Sequence, residues 1–296
     1  MRNIVTFGGL GTYGRFANQL FQIGGTIGIA RRNKFNFAFP PWRNYAALSF
    51  GQPDLDVQAR FENPLPLYTG PRLPELTIPF GYRDVRLTRS VSLLGFLQSE
   101  RYFSHCLDEV RFYFRMKDEP PLNDYCAIHW RAGDYGEAPT KYKPKGNPAH
   151  PRMAMNYYEP AMALFGTDQK YLVFSDDIEA AKDLFGDRVA YSEGLDYLDD
   201  FRLMKRCKHF IISNSSYSLM AAILSDHTDK QVVGPSPWFG GPHADILDER
   251  RKSYGLVELV AATTGAHPTW RIRAGDQLSQ AITRPYPGQR ELPRID

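Results

Sequence analysis

Strand-like and helix-like hydrophobic patterns alternate along most of this chain. Residues 3–7, Asn-Ile-Val-Thr-Phe, make a short apolar run of strand length, and a glycine turn follows at Gly8-Gly9-Leu10-Gly11. Phe16, Leu20, Ile23, Ile27 and Ala30 then recur at helical spacing and predict a helix with one apolar stripe. Residues 34–39 alternate as a second strand before Pro40-Pro41, so the opening unit reads β-turn-α-β. Residues 51–90 are rich in proline and poor in periodicity, which predicts a loop-dominated stretch with a few short strands. A helical pattern returns over 100–114, and residues 116–123, with Pro120-Pro121 inside, read as a linker.

The second half is more regular. Strands are predicted over 125–131, 170–175, 188–192, 209–213 and 231–234, and helices over 156–165, 178–185, 196–207 and 217–225. A long polar loop fills 132–150. Strands alternating with helices of this length predict a parallel sheet with helical crossovers. A terminal helix is expected over 255–263, then a poorly ordered tail rich in Pro and Arg. The domains are therefore read as 1–118, 119–254 and a C-terminal segment 255–296. A chain of 296 residues fits two domains of roughly 150 residues each.

Composition narrows the function classes. Hydrophobic content of 43% and charged content of 23% are ordinary globular usage. No apolar run is long enough to span a membrane. The start, Met-Arg-Asn-Ile-Val-Thr-Phe, lacks the apolar core of a signal peptide. The three cysteines, Cys106, Cys126 and Cys207, have no disulfide or zinc spacing. The expected location is the cytoplasm or the inner membrane surface. A net charge of +3 argues against a nucleic-acid binder. Charge is uneven, however: Arg2, Arg15, Arg31, Arg32, Lys34 and Arg43 all precede the first acid, Asp54. Such a field favours an anionic ligand, or it is one basic face balanced by acid elsewhere.

Ligands of open parallel sheets bind beyond the carboxyl ends of the strands. Three such ends carry candidate chemistry. The first holds His129, Arg131 and Asp134; the second Ser175, Asp176 and Asp177; the third Asn214, Ser215 and Ser216 at the opening of a helix. A guanidinium presents a planar fork that matches phosphate oxygens. A helix opening supplies unpaired N–H groups and the positive end of a dipole. Asp176 or Asp177 offers a carboxylate for the N–H edge of a guanine. Each set also has a plain structural meaning: Asn-Ser-Ser and Asp-Asp are ordinary helix caps, and His-x-Arg an ordinary ion-pair element. Their coincidence on one sheet edge points to a nucleoside-diphosphate site.

Gly9-Leu10-Gly11-Thr12-Tyr13-Gly14 matches the dinucleotide fingerprint in form. That fingerprint also needs an acid about 20 residues on, and none precedes Asp54. A NAD(P)-dependent oxidoreductase is accordingly an alternative reading only. Asp54-Leu55-Asp56 matches the D-x-D of metal-dependent transferases but sits in a proline-flanked loop and reads as surface. The histidines show no metal-ligand spacing, so no metal site is assigned.

Six stretches together resemble the inverting alpha-1,2-fucosyltransferases of glycosyltransferase family 11. They are GGLGTYGRFANQLFQIG (8–24), LLGFLQSERYF (93–103), AIHWRAGDYG (127–136), MNYYEPAM (155–162), YLVFSDD (171–177) and DDFRLMKRCKHFIISNSSYSLMAAIL (199–224). In the family's common pattern, Gly-Gly-Leu-Gly runs directly into Asn-Gln, whereas here Thr12 to Ala17 intervene before Asn18-Gln19. The last stretch carries Leu219 and Met220 where tryptophans are usual. The resemblance implies an α/β fold of two facing Rossmann-like domains, GT-B type, with the active site in the cleft between them. The first domain would serve the acceptor and the second the GDP-sugar. It implies transfer of L-fucose from GDP-fucose to the 2-hydroxyl of a galactose-containing glycan, with inversion and no metal or other cofactor. An alternative is another GDP-sugar or another acceptor hydroxyl. His129 and Arg131 would face the diphosphate, Asp176 or Asp177 the guanine, and Ser215 and Ser216 the phosphate. Asp134 and Glu137 are the candidate general bases, with bracing of Arg131 as the other role for Asp134. Gly11, Arg15, Asn18 and Gln19 are the expected cleft-lining residues. Lys141, Lys143 and Lys145 make the loop beyond Glu137 basic, as a closing lid would be.

Overall fold

The computed structural model describes residues 3–12, 14–44, 72–74, 82–115, 120–136, 145–236, 238–240, 257–260 and 269–272. The Asp54–Asp56 motif, Glu137, Lys141, Lys143 and the tail beyond 272 lie outside the described residues. The chain divides between Glu119 and Pro120 into two compact units, each α/β and built on a parallel sheet.

The first unit places β1 (Ile4–Thr6), β2 (Asn36–Ala38), β3 (Arg72–Pro74) and β4 (Val91–Leu94) in the order β2-β1-β4-β3, all parallel. Helix α1 (Phe16–Arg32) follows the glycine loop. The single apolar stripe expected of it is a correction: from Phe16 to Ala30 nearly every residue is buried. The polar positions are satisfied inside. Gln19 donates to the Gly14 carbonyl at 2.9 Å, and its Oε1 accepts the Trp42 indole N–H at 2.6 Å. Thr26 bonds back to the Gln22 carbonyl at 2.7 Å. Glycine makes the close packing possible: a Cβ on Gly28 would lie 2.0 Å from the Tyr102 carbonyl oxygen. The helical stretch expected over 100–114 is two 3₁₀ turns, Glu100–Tyr102 and Ser104–Cys106, followed by α2 (Leu107–Tyr113).

The second unit holds β5 (Leu122–Trp130), α3 (Met155–Ala163), β6 (Lys170–Ser175), α4 (Ile178–Phe185), β7 (Ala190–Tyr191), α5 (Tyr197–Arg206), β8 (Cys207–Ile211), α6 (Ser216–Leu224) and β9 (Val232–Ser236). Two further strands, β10 (Val257–Val260) and β11 (Thr269–Ile272), extend the sheet. Within 255–263, where a helix is expected, the described residues Val257–Val260 form a strand, a correction. Val257-Glu258-Leu259-Val260 pairs parallel with β9 from Val257 opposite Val233 to Val260 opposite Ser236. Tertiary pairing of β-branched residues overrides the local helical tendency of the surrounding Leu, Glu and Ala.

The order is β11-β10-β9-β8-β5-β6-β7, parallel except for β11. The chain steps from β5 outward through β6 and β7, then returns to the other side of β5 at β8 and proceeds to β9. The strand order thus reverses between β5 and β8. Cys126, Ile128 and Trp130 pack with Tyr157, Tyr158 and Ala161 of α3 and Ala181 and Phe185 of α4. Side chains alternate along a strand, so His129 points to the opposite face, where α6 lies. Among the described residues no helix is long and apolar enough to cross a membrane.

Candidate active site

The reversal point between two parallel strands leaves a crevice at their carboxyl ends because the connections depart in opposite directions. Here the crevice is bordered by the tips of β5 and β8, with the tip of β6 on the other side of β5. The sequence-predicted residues of these three tips are brought together.

Arg131, one residue past β5, is gripped by two carboxylates. Its Nε and Nη2 donate to Asp134 Oδ1 at 3.1 and 2.8 Å, and Nη1 lies 3.0 Å from Asp176 Oδ2. Burial alone would lower its pKa, but Asp176, Asp134 and Tyr135 outweigh burial and raise it. A guanidinium has five N–H donors; two of them bond Asp134, Nη1 faces the Asp176 carboxylate, and among the described residues the rest have no hydrogen-bond partner. The ring of Tyr135 lies 5.7 Å from the guanidinium carbon.

Asp176 and Asp177 prove to be different residues physically. Asp176 turns back toward β5. Its Oδ1 accepts the Ala132 N–H at 2.8 Å and its Oδ2 the Gly133 N–H at 3.0 Å. Asp177 is the cap of α4 and accepts the Ala180 N–H at 3.2 Å. Ser175 Oγ accepts the Asp177 N–H at 3.0 Å and donates to its carbonyl. Both carboxylates expected at a guanine edge thus have internal partners. Asp134, a candidate base, is likewise committed to Arg131.

At the β8 tip, Ser215 caps α6, accepting the Tyr217 N–H at 3.3 Å, and Ser216 is the first helical residue. Asn214 is 1% exposed. Its amide donates to the carbonyls of Pro151 and Trp238, both at 3.1 Å, while its Oδ1 is buried with no partner among the described residues. The plain cap roles of Ser215 and Asp177 are therefore real. They coexist with a sheet edge at which charge and open helix N–H groups converge.

His129 lies between these tips, 4% exposed. Its Nδ1 is 2.8 Å from Ser213 Oγ and 2.9 Å from Ser218 Oγ. Burial pushes its pKa down to about 3, Arg131 adds to the effect, and Asp176 opposes it. The ring is neutral at ordinary pH.

Several residues that fix this geometry escaped the sequence argument. The Tyr158 hydroxyl donates to the His129 carbonyl at 2.8 Å, and the Tyr157 hydroxyl to the Ile212 and Val233 carbonyls at 2.6 and 3.2 Å. Tyr135 donates to the Asn214 carbonyl at 3.2 Å, joining the β5 loop to the β8 tip. Arg152 donates to the carbonyls of Ala132 and Tyr135 at 2.7 and 3.1 Å. Two adjacent tyrosines on a short helix are a usable signal, because a buried phenol requires a hydrogen-bond partner. Nothing in the sequence signals the carbonyl contacts of Arg152.

In the first unit, Gly11 and Gly14 adopt φ of +85° and +78° in the loop before α1. Arg15 precedes the first helical turn as its N-cap residue, and Asn18 Oδ1 accepts from the amide of Gln98. Gln19, expected to line a cleft, is corrected to an interior residue at 2% exposure, because both ends of its amide are used inside the unit.

Among curated relatives, the O-antigen biosynthesis glycosyltransferase WbnK of Escherichia coli is 36% identical over 129 residues, 41% of this chain and 41% of that protein. An alpha-1,2-colitosyltransferase of Escherichia coli is 30% identical over 188 residues, 57% of this chain and 63% of that protein. The chain covers less than two thirds of the length of each of these relatives. Among solved structures, the fucosyltransferase NodZ from Bradyrhizobium superposes with a TM-score of 0.45 at 13% identity, over 76% of this chain and 94% of that one. The family model of glycosyl transferase family 11 matches residues 90–237, half of the chain and the whole run from β4 to β9, and the chain belongs to that family.

Proposed function

We propose that this protein transfers L-fucose from GDP-fucose to the 2-hydroxyl of a galactose-containing glycan, inverting the anomeric centre and using no metal. The observation that carries the proposal is the pairing of a partly uncommitted guanidinium, Arg131, with the α6 opening at Ser215 and Ser216, on neighbouring strand tips at the sheet's reversal point. As the bond to the anomeric carbon breaks, negative charge grows on the departing diphosphate. Donors aimed beforehand at that charge supply the largest catalytic contribution, about 3 kcal/mol each. Two carboxylates on one guanidinium hold it in place. The remaining N–H groups of Arg131, the helix opening and His129 then share the diphosphate. In this reading the second unit binds the GDP-sugar and the first serves the acceptor, with Gly11, Arg15 and Asn18 on the acceptor side. Asp177 is the carboxylate left for the guanine edge, and Asp176 and Asp134 position Arg131. Glu137 is the proposed acceptor of the hydroxyl proton.

The alpha-1,2-colitosyltransferase relative favours a second reading, in which the same 1,2-linkage is formed with colitose as the transferred sugar. Incubation with GDP-fucose or GDP-colitose and a galactoside library, read by mass spectrometry and linkage analysis, separates the two. Transfer of neither sugar to any acceptor overturns both. Retention of activity in EDTA is expected, and its loss with recovery on adding a divalent cation would refute the metal-free mechanism.

A further inference from the structure

The contacts of His129 fix more than its position. Ser213 is 1% and Ser218 0% exposed, so each hydroxyl hydrogen must find an acceptor inside the protein. Ser218 has a second acceptor, the Ser215 carbonyl at 3.4 Å. Ser213 Oγ has none among the described residues apart from His129 Nδ1. If Nδ1 carried the ring proton, both hydroxyls would be forced to accept from it and the Ser213 hydrogen would be stranded in the core. If Nδ1 is bare, Ser213 donates to it and nothing is stranded. Leaving a buried donor unpaired costs about 1–3 kcal/mol, several times thermal energy. The ring proton therefore resides on Nε2. Among the described residues that nitrogen has no hydrogen-bond partner. Tyr217 packs on the imidazole with centroids 5.6 Å apart, and the two serines hold the Nδ1 edge.

We infer that Ser213 and Ser218 are positioning residues that hold His129 as the neutral Nε2–H tautomer, making it an uncharged, fixed donor to the diphosphate of the bound nucleotide. The inference deepens the proposed function and rests on it for the identity of the ligand. Burial disfavours a charged ring here; Arg131 adds to that effect and Asp176 opposes it. The depressed pKa of the imidazole agrees with a neutral ring across the working range.

The test is nitrogen NMR of the full-length protein labelled with 15N-histidine, the His129 signals being assigned by their loss in His129→Gln. Without nucleotide, a pyrrole-type Nε2 and a pyridine-type Nδ1 are expected, unchanged over about pH 5–8, where an ordinary histidine titrates. A protonated Nδ1, or an imidazolium at neutral pH, overturns the inference whatever the ligand proves to be. Addition of GDP is expected to shift the Nε2–H signal, whereas guanosine leaves it in place. A shift with guanosine alone would move the contact from the phosphates to the base and refute the diphosphate assignment. Ser213→Ala is expected to give mixed tautomers and about three- to tenfold weaker GDP binding, with Ser213→Thr restoring both. Unchanged tautomer and affinity in Ser213→Ala would refute the positioning role. Absence of GDP binding by wild-type protein in calorimetry would instead count against the proposed function, leaving the tautomer result standing.

Discussion

Replacing Asp176 by asparagine tests how the Arg131 guanidinium is held. The aspartate accepts two backbone N–H groups, from Ala132 and Gly133, and faces Arg131 Nη1 at 3.0 Å. Asparagine keeps one acceptor oxygen and turns an NH₂ toward the other donors. At least one backbone N–H then loses its partner and Arg131 loses one of its two counter-charges. The side chains of Asp176 and Arg131 are 23% and 20% exposed, so solvent offsets little of this. Hydrogen bonds to a charged group contribute about 1.5–3 kcal/mol each, which puts the loss at about 3 kcal/mol. For a domain of this size that is roughly 6–12 °C in Tm. Asp177→Asn, the neighbouring substitution, removes at most the charged character of a single 3.2 Å cap bond and should cost about 1 kcal/mol or less. Differential scanning calorimetry of both variants, with GDP titrations alongside, makes the comparison. Equal small losses in Tm would show that the Asp176 contacts carry no weight, and the account of a pre-aimed Arg131 would fail.

Other expectations follow from the same geometry. Arg131→Lys should lower transfer by two or more orders of magnitude with native circular dichroism, because one ammonium cannot meet Asp134, Asp176 and a ligand together; near-wild-type turnover would end the assignment. His129 has a folded pKa of about 3, below the unfolded value near 6.5, so the unfolded chain takes up this proton first. Its contribution is complete above about pH 6.5 and declines as pH falls toward 3, amounting to about 2 kcal/mol lost by pH 5. Urea unfolding across pH should show that slope in wild type, reduced by that amount in His129→Gln; parallel curves would contradict the buried neutral ring. Gly28→Ala would press a methyl onto the Tyr102 carbonyl oxygen at 2.0 Å and the Phe103 Cα at 2.7 Å, costing about 3 kcal/mol or more by chemical denaturation, and a neutral result would disprove the close approach.

Much of the second unit was readable from periodicity. The strand at 170–175 and the helix at 178–185 were found to the residue, because Asp176-Asp177 separates an apolar run from an amphipathic one. β8 begins two residues earlier than its pattern suggests, since Cys207 continues the apolar face of α5 and also opens the strand. The end of the sheet was misread because residues 255–263 combine helix-forming Leu, Glu and Ala with valines, and only pairing with β9 decides between them. In α1 the sequence shows one apolar stripe, with Gln19, Gln22 and three glycines outside it. Their burial depends on partners far along the chain, such as Trp42, Leu97, Tyr102 and Phe103. At the site, residue types announced Arg131 and the Ser215 cap. Which of two adjacent aspartates turns inward is a matter of strand-end geometry that identical neighbours cannot encode. The serine pair on His129 was hidden for a related reason, as one member lies just past a strand and the other in the first turn of a helix.

The tyrosine hydroxyls beneath the site bear on how a product leaves. Tyr158 ties down the penultimate residue of β5, and Tyr157 joins the residue after β8 to the second residue of β9 through one oxygen. Both phenols belong to α3, and spreading the three strands at these points would break bonds in the dry interior. On the proposed function, a spent nucleotide would leave by sliding out past surrounding loops rather than by prising strands apart. Changes that speed or slow turnover through release should accordingly map to those loops, while changes at the two phenols should blunt the chemistry itself.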